Sequence, residues 1–405
     1  MKKIFLFLLW LGTVNSVFAQ EQTSEQVYRR SALYSLLVSN FQTKYHKEIE
    51  DVFSSIPIPE KFDNHDLSVK IITSSMKKVE EVRVRSFLDS NAIARRLVGR
   101  WFNRDPKTGE CDMNLITQRG LYDASYFDVE LAKMSQRGYG ILADAGEELI
   151  GNTFVIVNAI RYTDKQKTSK VFGAFMKIAG AAAAVATGNS DFIDIGDNLG
   201  NLAAEIKGFG VTVTTYLYRL EWNDEIAKEF YGNYYLDKGY LDEQKRTAFE
   251  KSTAFKLSYI GSQEVSSGKI SMQGINVYDP IQMIRKVCTR AIDESIVALQ
   301  RNHDEFKIKT PIFAVSPVIT AKVGMKEGVS ENNKYEVLEQ YIDKNGKTAY
   351  KRVGVIQPIR GKIWDNRYMA MEENAIGSKL QATTFRKISG GEFYPGMLIR
   401  EIKIK

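Results

Sequence analysis

The chain has 405 residues, 44% hydrophobic and 26% charged, which excludes a disordered polymer and suffices for two or three domains. The net charge of +7 is mild, and acids are interspersed among the bases, so no nucleic-acid-binding stripe is present. Two cysteines are too few for a zinc cage of thiolates, and only 8 prolines argue against a long disordered linker.

Met1-Lys-Lys3 is followed by the apolar run Ile4 to Leu11 and then by Val17-Phe-Ala19. A basic start, a short apolar core and small residues at three and one positions before Gln20 describe a secretory signal peptide, residues 1–19, cleaved after Ala19. The run is about half the length of a membrane-spanning helix. No Cys follows it, so it offers no lipidation site. The expected location of the mature chain is periplasmic or outer-membrane-associated.

Residues 24–55 read as one helix, with Val27, Leu33, Leu36, Leu37, Phe41, Ile49 and Phe53 at roughly helical intervals. Ile56-Pro-Ile-Pro59 ends it. Ser68 to Ile72 and Val79 to Phe87 read as strands or short mixed elements. A helix is expected over 90–103, capped by Ser90 or Asn91, with Ile93, Ala94, Leu97, Val98 and Trp101 on one face. Met113 to Gln118 reads as a strand, and 128–136 and 144–149 as helices.

Asn152 to Tyr162 and Gly210 to Trp222 are the two strongest strand signals, and they belong to one sheet. Between them lies an Ala/Gly-rich insertion, 165–208, whose small residues Gly173, Ala174, Ala181, Ala182 and Ala186 allow close helix approach. Three readings fit it: a helical hairpin buried within the domain, a contact with another subunit, or a contact with lipid. Lys177 counts against a spanning helix. Phe172 and Phe175 are its candidate partner-binding residues.

Ala254 to Gly261 alternates as a strand does. Asp279-Pro280 opens a long helix, 281–305, with proline at its first position. From Pro311 the text becomes strand, turn, strand: 312–322, 333–342, 350–358, 361–364, 379–387 and 397–404, with Asp343-Lys-Asn-Gly346 as a hairpin turn. This describes a small closed β-barrel. The expected fold class is α+β: a mixed α/β domain, 20–310, carrying the insertion, then a barrel domain, 311–405.

No residue pattern assigns a catalytic group, a metal site or a cofactor. Arg137 to Gly146 is glycine-rich but fits neither dinucleotide nor P-loop spacing. Asp191, Asp194, Asp197, Asn198 and Glu205 fail the EF-hand spacing, because Gly196 and Leu199 stand where a ligand and a glycine are needed. The pairs Glu147-Glu148 and Glu372-Glu373 read as solvated surface, as do His46 and His303. Cys111 and Cys288 either pair in an oxidising compartment or are buried thiols. The tyrosines are more suggestive: Tyr231, Tyr234, Tyr235 and Tyr240 cluster after the second long strand. Exposed, they suit a protein or sugar contact; buried, they are packing under a loop.

Ile319 to Ser330, Tyr335 to Glu339 and Gly391 to Ile399, following the long helix, lay out a strand ending in Gly, a Lys-Glu-Gly turn and a late Pro-Gly before the last strand. This order resembles the curli-secretion-channel and flagellar-assembly group of periplasmic and outer-membrane assembly proteins. The resemblance implies a non-enzymatic scaffold that binds a protein partner or itself, with 165–208 corresponding by position to the group's assembly insertion. The channel pattern's lipidated N-terminal Cys is missing. The alternative expectation is an extracytoplasmic module for glycan or peptidoglycan that uses the tyrosines.

Overall fold

A computed structural model describes residues 31–43, 45–75, 79–123, 146–147, 149–164, 209–266, 280–342, 348–373 and 380–402. The fold is α+β. It is built on a six-stranded sheet and a closed ring of six further strands.

The sheet has β1 (Ala32–Asn40) and β4 (Thr153–Asp164) side by side and parallel, then β5 (Phe209–Leu220) and β6 (Leu257–Ser266) antiparallel. Two short strands, β2 (Asp63–Asn64) and β3 (Ile71–Ser74), pair in parallel with successive stretches of β1. Apolar side chains cover both faces of the three inner strands. On one face Tyr34, Val155, Val157 and Tyr218 meet α2 (Glu81–Ser90), α3 (Ile93–Trp101), α4 (Asn114–Asp123), α5 (Asp224–Asn233) and α6 (Glu243–Lys251). On the other Leu33, Leu37, Phe154, Ile156, Val213 and Leu217 meet α1 (His46–Ser55) and α7 (Pro280–Asn302).

Four expectations need correction. The single helix over 24–55 is in fact β1 followed by α1. β1 is buried on both faces, and an apolar run of that kind imitates helical spacing. Val79 to Phe87 is not a strand, because α2 occupies 81–90 and buries Val84 and Leu88, one turn apart, while Val82 stays 71% exposed. Met113 to Gln118 lies mostly in α4, which begins where the Asp112 carboxylate accepts from Asn114 N at 3.0 Å. Ser90 and Asn91 do not cap α3. Their side chains donate to Phe87 O at the end of α2, and Ala92 enters α3 in the left-handed region at φ 48°. The helix expected at 128–136 lies outside the described residues.

The two strand signals at 152–162 and 210–222 form the longest ladder of the sheet, from Phe154↔Arg219 to Asp164↔Phe209. Residues 165–208, with Phe172 and Phe175, therefore join the chain at the open end of this ladder. They lie outside the described residues.

One feature of the α1/α7 face is not apolar. Ser295 Oγ of α7 donates to Thr215 Oγ1 at 2.7 Å, Thr215 Oγ1 to Asn158 Oδ1 at 2.9 Å, and Asn158 Nδ2 to Ser35 Oγ at 3.2 Å and to Leu36 O at 3.1 Å. This line crosses β5, β4 and β1 in the buried core, so each member is satisfied only by the next.

The ring closes in the order β10-β11-β8-β7-β12-β9. Its strands are β7 (Thr310–Ala314), β8 (Ile319–Ala321), β9 (Tyr335–Ile342), β10 (Thr348–Pro358), β11 (Thr383–Gly390) and β12 (Leu398–Glu401). Ile312, Val337, Ile356, Phe385, Phe393 and Ile399 fill it. The strand expected at 312–322 is split in two by the turn at Ser316-Pro317, and 361–364 is not a strand. Proline cannot donate to a ladder, so β7 and β8 fold back on each other instead of continuing. β9 and β10 pair as a hairpin, with Ile342↔Thr348 closing it; the turn at 343–347 lies outside the described residues. A one-turn helix, α8 (Ala370–Glu373), precedes β11.

α7 joins the two parts. Its Arg290 donates to Tyr368 O at 2.7 Å, and its Arg301 donates to Gly328 O at 2.7 Å and pairs with Glu401 at 3.2 Å. Asn158→Ala breaks the polar line at its centre, removing the acceptor of the Thr215 hydroxyl proton and the side-chain donor to Leu36 O. It is expected to lower unfolding free energy by about 2–3 kcal/mol, read by urea denaturation.

Candidate partner-binding surface

The predicted tyrosine cluster sits at the end of α5. Asn223 starts that helix by accepting from Glu225 N and Ile226 N, both at 3.0 Å. Phe230, fully buried, lies 4.2 Å from the Phe102 ring and packs edge-on to Tyr231, Tyr235 and Phe255. Tyr234 is buried against Phe249 and Phe255, and its hydroxyl donates to Glu229 Oε1 at 2.7 Å. Burial, and then the Asp237 carboxylate, push the Tyr235 phenol up to about 12. Tyr231 and Tyr235 are half-buried in the same cluster. Tyr240 alone of the four is well exposed, at 69%.

The sequence reading expected partner binding through the barrel but named no residue on it. Phe313 on β7 is 55% exposed and Tyr394, in the turn before β12, is 55% exposed. Val318, in the turn between β7 and β8, and Ile388 on β11 are also exposed. These four fall on consecutive neighbours in the order β11-β8-β7-β12. Basic groups accompany them: Lys322 Nζ lies 5.0 Å over the Phe313 ring, Lys387 Nζ lies 5.0 Å over Phe393, and Arg386 is exposed beside Lys387. A bulge opposite β8 accounts for the Phe313 position. The pairing slips between Ile312, which faces the ring interior, and Ala314, leaving the residue between them outside. The signal for this surface was present as Phe313 and Tyr394 among prolines and glycines. Exposure depends on which side of a curved strand each residue takes.

Two cavities are lined by a mixture of polar and apolar groups, and both are small. One, of about 20 Å³, lies between α1, β1 and α7 and is lined in part by Ser35, Asp66, Lys70 and Asp293. The other, of about 40 Å³, lies at the mouth of the ring against α7. Each has room for a few water molecules. Among the described residues, no three His, Cys, Asp or Glu side chains converge as a metal site, and no helix is long and apolar enough to cross a membrane. The glycine-rich 137–146, apart from Gly146, and the aspartates at 191–197 lie outside the described residues, as do Glu148 and the side chains of Glu372 and Glu373.

His46 opens α1, on a helix face as expected, with Nδ1 3.1 Å from Thr43 O; the other two histidines are placed differently. His303 is not on a helix face. It follows α7 and packs its ring against Gly261, where an added Cβ would meet it at 2.4 Å. His65 is fully buried beside Trp101, with Nε2 3.2 Å from Leu97 O and no hydrogen-bond partner at Nδ1 among the described residues. Cys111 and Cys288 are both free and buried, in cores on opposite faces of the sheet. The sheet separates them, so they do not pair. Burial pushes the Cys288 thiol up to about 12.

No family model matches the chain, and neither does any curated protein.

Two predictions follow from the buried titratable groups. Neither thiol should react with Ellman's reagent in the native protein, and both should react once urea unfolds it. Burial pulls His65 down to about 3 and pushes Asp293 up to about 7. Between about pH 3 and 6.5 the unfolded chain binds a proton at His65 that the native state rejects, so this residue's stability contribution is lost as pH falls. Between about pH 4 and 7 the native state retains a proton on Asp293 that the unfolded chain has released, so here stability is lost as pH rises. The two slopes oppose each other where they overlap. Asp293→Asn should therefore expose a stability that climbs between pH 4 and 6.5 by up to about 1.4 kcal/mol per unit, measured by denaturation at stepped pH.

Proposed function

We propose that the chain is an exported, non-enzymatic assembly or scaffold protein of the periplasm or outer membrane. It binds a protein partner through the ring, read as a small β-barrel, and through the segment 165–208 carried at the open end of the β4–β5 ladder. The observation that supports this reading is the row of exposed apolar side chains, Phe313, Val318, Ile388 and Tyr394, on adjoining elements of the ring. Exposed apolar side chains accompanied by charge suit contact with another protein. The neighbouring Lys322, Arg386 and Lys387 favour acidic groups on the partner and speed its approach. A scaffold role is also what the resemblance to the curli-secretion-channel and flagellar-assembly group implies.

The second reading, glycan or peptidoglycan binding through the tyrosine cluster, rests on Tyr240. The other three rings are committed to packing against Phe230, Phe249 and Phe255.

The test is the solution mass of residues 20–405 by light scattering after gel filtration. It is repeated without 165–208 and with Phe313→Ser and Tyr394→Ser together. A discrete oligomer that collapses to monomer in either variant is the expected result. A monomer in every case would overturn self-assembly and direct attention to glycan retention and its dependence on Tyr240.

A further inference from the structure

The two edges of the sheet are unlike. On one side β1 is bordered only by β2 and β3, of two and four residues, and edge strands that short offer little backbone to another chain. On the other side β6 runs for ten residues and is paired to β5 alone. Among the described residues no backbone hydrogen bond reaches β6 from the side away from β5. Alternate residues of the strand therefore turn their N–H and C=O groups outward in a row. None of the residues from Ser258 to Ser266 is buried.

The usual protections of an exposed edge are weak here. Lys, Arg and Pro are missing from Leu257–Ser266. Its one charge, Glu264, is drawn back over the sheet by Arg161 Nη2 and Thr214 Oγ1, both at 3.0 Å. One device is present, a bulge that leaves Ile260 as the extra residue between the pairs Leu217↔Gly261 and Tyr218↔Tyr259. From Gly261 to Ser266 the pairing with β5 runs without a slip. One face of this run is held in place: the His303 ring packs against Gly261, and Asn302 Nδ2 donates to Gln263 Oε1 at 3.0 Å. These contacts cover a face of the strand and leave its edge.

We infer that β6 pairs antiparallel with β6 of a second copy of this chain, joining the two sheets across a two-fold axis. A foreign strand is selected by pockets beside the edge, and the exposed Ser262, Glu264 and Ser266 provide none. A two-fold contact brings the same patch together from both copies. Opposed residues share a face of the joined sheet, so the axis passes through a residue and not between two. Centred on Glu264, two carboxylates stand directly opposite, which is unfavourable. Centred on Ser262, the bulged Ile260 falls opposite Glu264 and interrupts the ladder. Centred on Gln263, Gly261 faces Val265, Ser262 faces Glu264 and the two Gln263 amides face each other, with no like charges opposed. An antiparallel ladder of this kind carries about one hydrogen bond per residue. The contact uses neither the ring surface nor 165–208, and it does not rest on the function proposed above.

The experiment uses residues 20–405 with one cysteine added at a time. Cys111 and Cys288 are buried and free, so an introduced thiol is the one that oxidises. Directly opposed Cα atoms lie about 4.5–5.5 Å apart, within reach of a disulfide. Gln263→Cys should give a disulfide-linked dimer under mild oxidation. Ser266→Cys should not, because its two copies stand about 20 Å apart along the strands. Gln263→Lys and Gln263→Glu each set like charges opposite at the axis and should weaken association at least tenfold by light scattering. Mixing the two variants should restore a dimer, which separates lost pairing from lost folding. In the Phe313→Ser, Tyr394→Ser background the Gln263→Cys cross-link should persist. Absence of that cross-link in both backgrounds would overturn the contact, whatever the ring variants do to the solution mass. So would equal cross-linking at 263 and 266, or no recovery on mixing the charged variants.

Discussion

The structure depends on one helix facing two ways. α7 presents Ile284, Val287, Cys288, Ala291, Ile292, Ile296 and Leu299 to the sheet, at the spacing of a helical stripe. Its other side carries Arg290, Val297 and Arg301 to Tyr368, Gly328 and Glu401. Neither contact survives a rotation of the helix. The bond from Ser295 to Thr215, and from there through Asn158 to Ser35, fixes that rotation, because an apolar stripe alone allows small slips and a buried hydrogen bond does not. The placement of the ring relative to the sheet is thus set by a polar line inside an apolar core.

The two faces of the sheet divide the work. The α1/α7 face carries the connection to the ring. The opposite face is closed by aromatic packing around Phe102, Phe230 and Phe249, with the Arg104 guanidinium 4.2 Å from the Phe249 ring centre. That packing explains where much of the tyrosine content goes. Two small cavities of mixed lining flank α7, one along its middle at Ile292, Asp293 and Ile296 and one near its end at Gln300.

Much of the fold was legible in the sequence where one physical signal dominated. β4 and β5 are long β-branched runs bounded by turn residues, Pro280 opens α7 at its first position, and β9 and β10 flank an Asn-Gly pair. The reading failed where signals coincide. In β1, Leu33, Leu36 and Leu37 have helical spacing because both faces of the strand are buried. In α2, Val82 and Val84 alternate like strand residues although only Val84 is inside. The candidate surface was less legible still. The tyrosines were visible as a cluster, but burial of Tyr234 and exposure of Tyr240 differ only by which side of a short loop each one takes.

What the sequence determined by itself is the inventory and its local grammar. A basic start with a short apolar run, an α+β alternation, a glycine-punctuated strand-rich end and cysteines too few for a metal cage follow from residue type and spacing. Tertiary structure alone decided that Cys111 and Cys288 lie on opposite faces of one sheet, that Phe313 bulges outward, and that Thr310, Glu327 and Tyr335 share a cavity. The reason is physical. Local propensity acts over a few residues, whereas strand curvature, ring closure and the burial of a polar group are settled by neighbours distant in the chain.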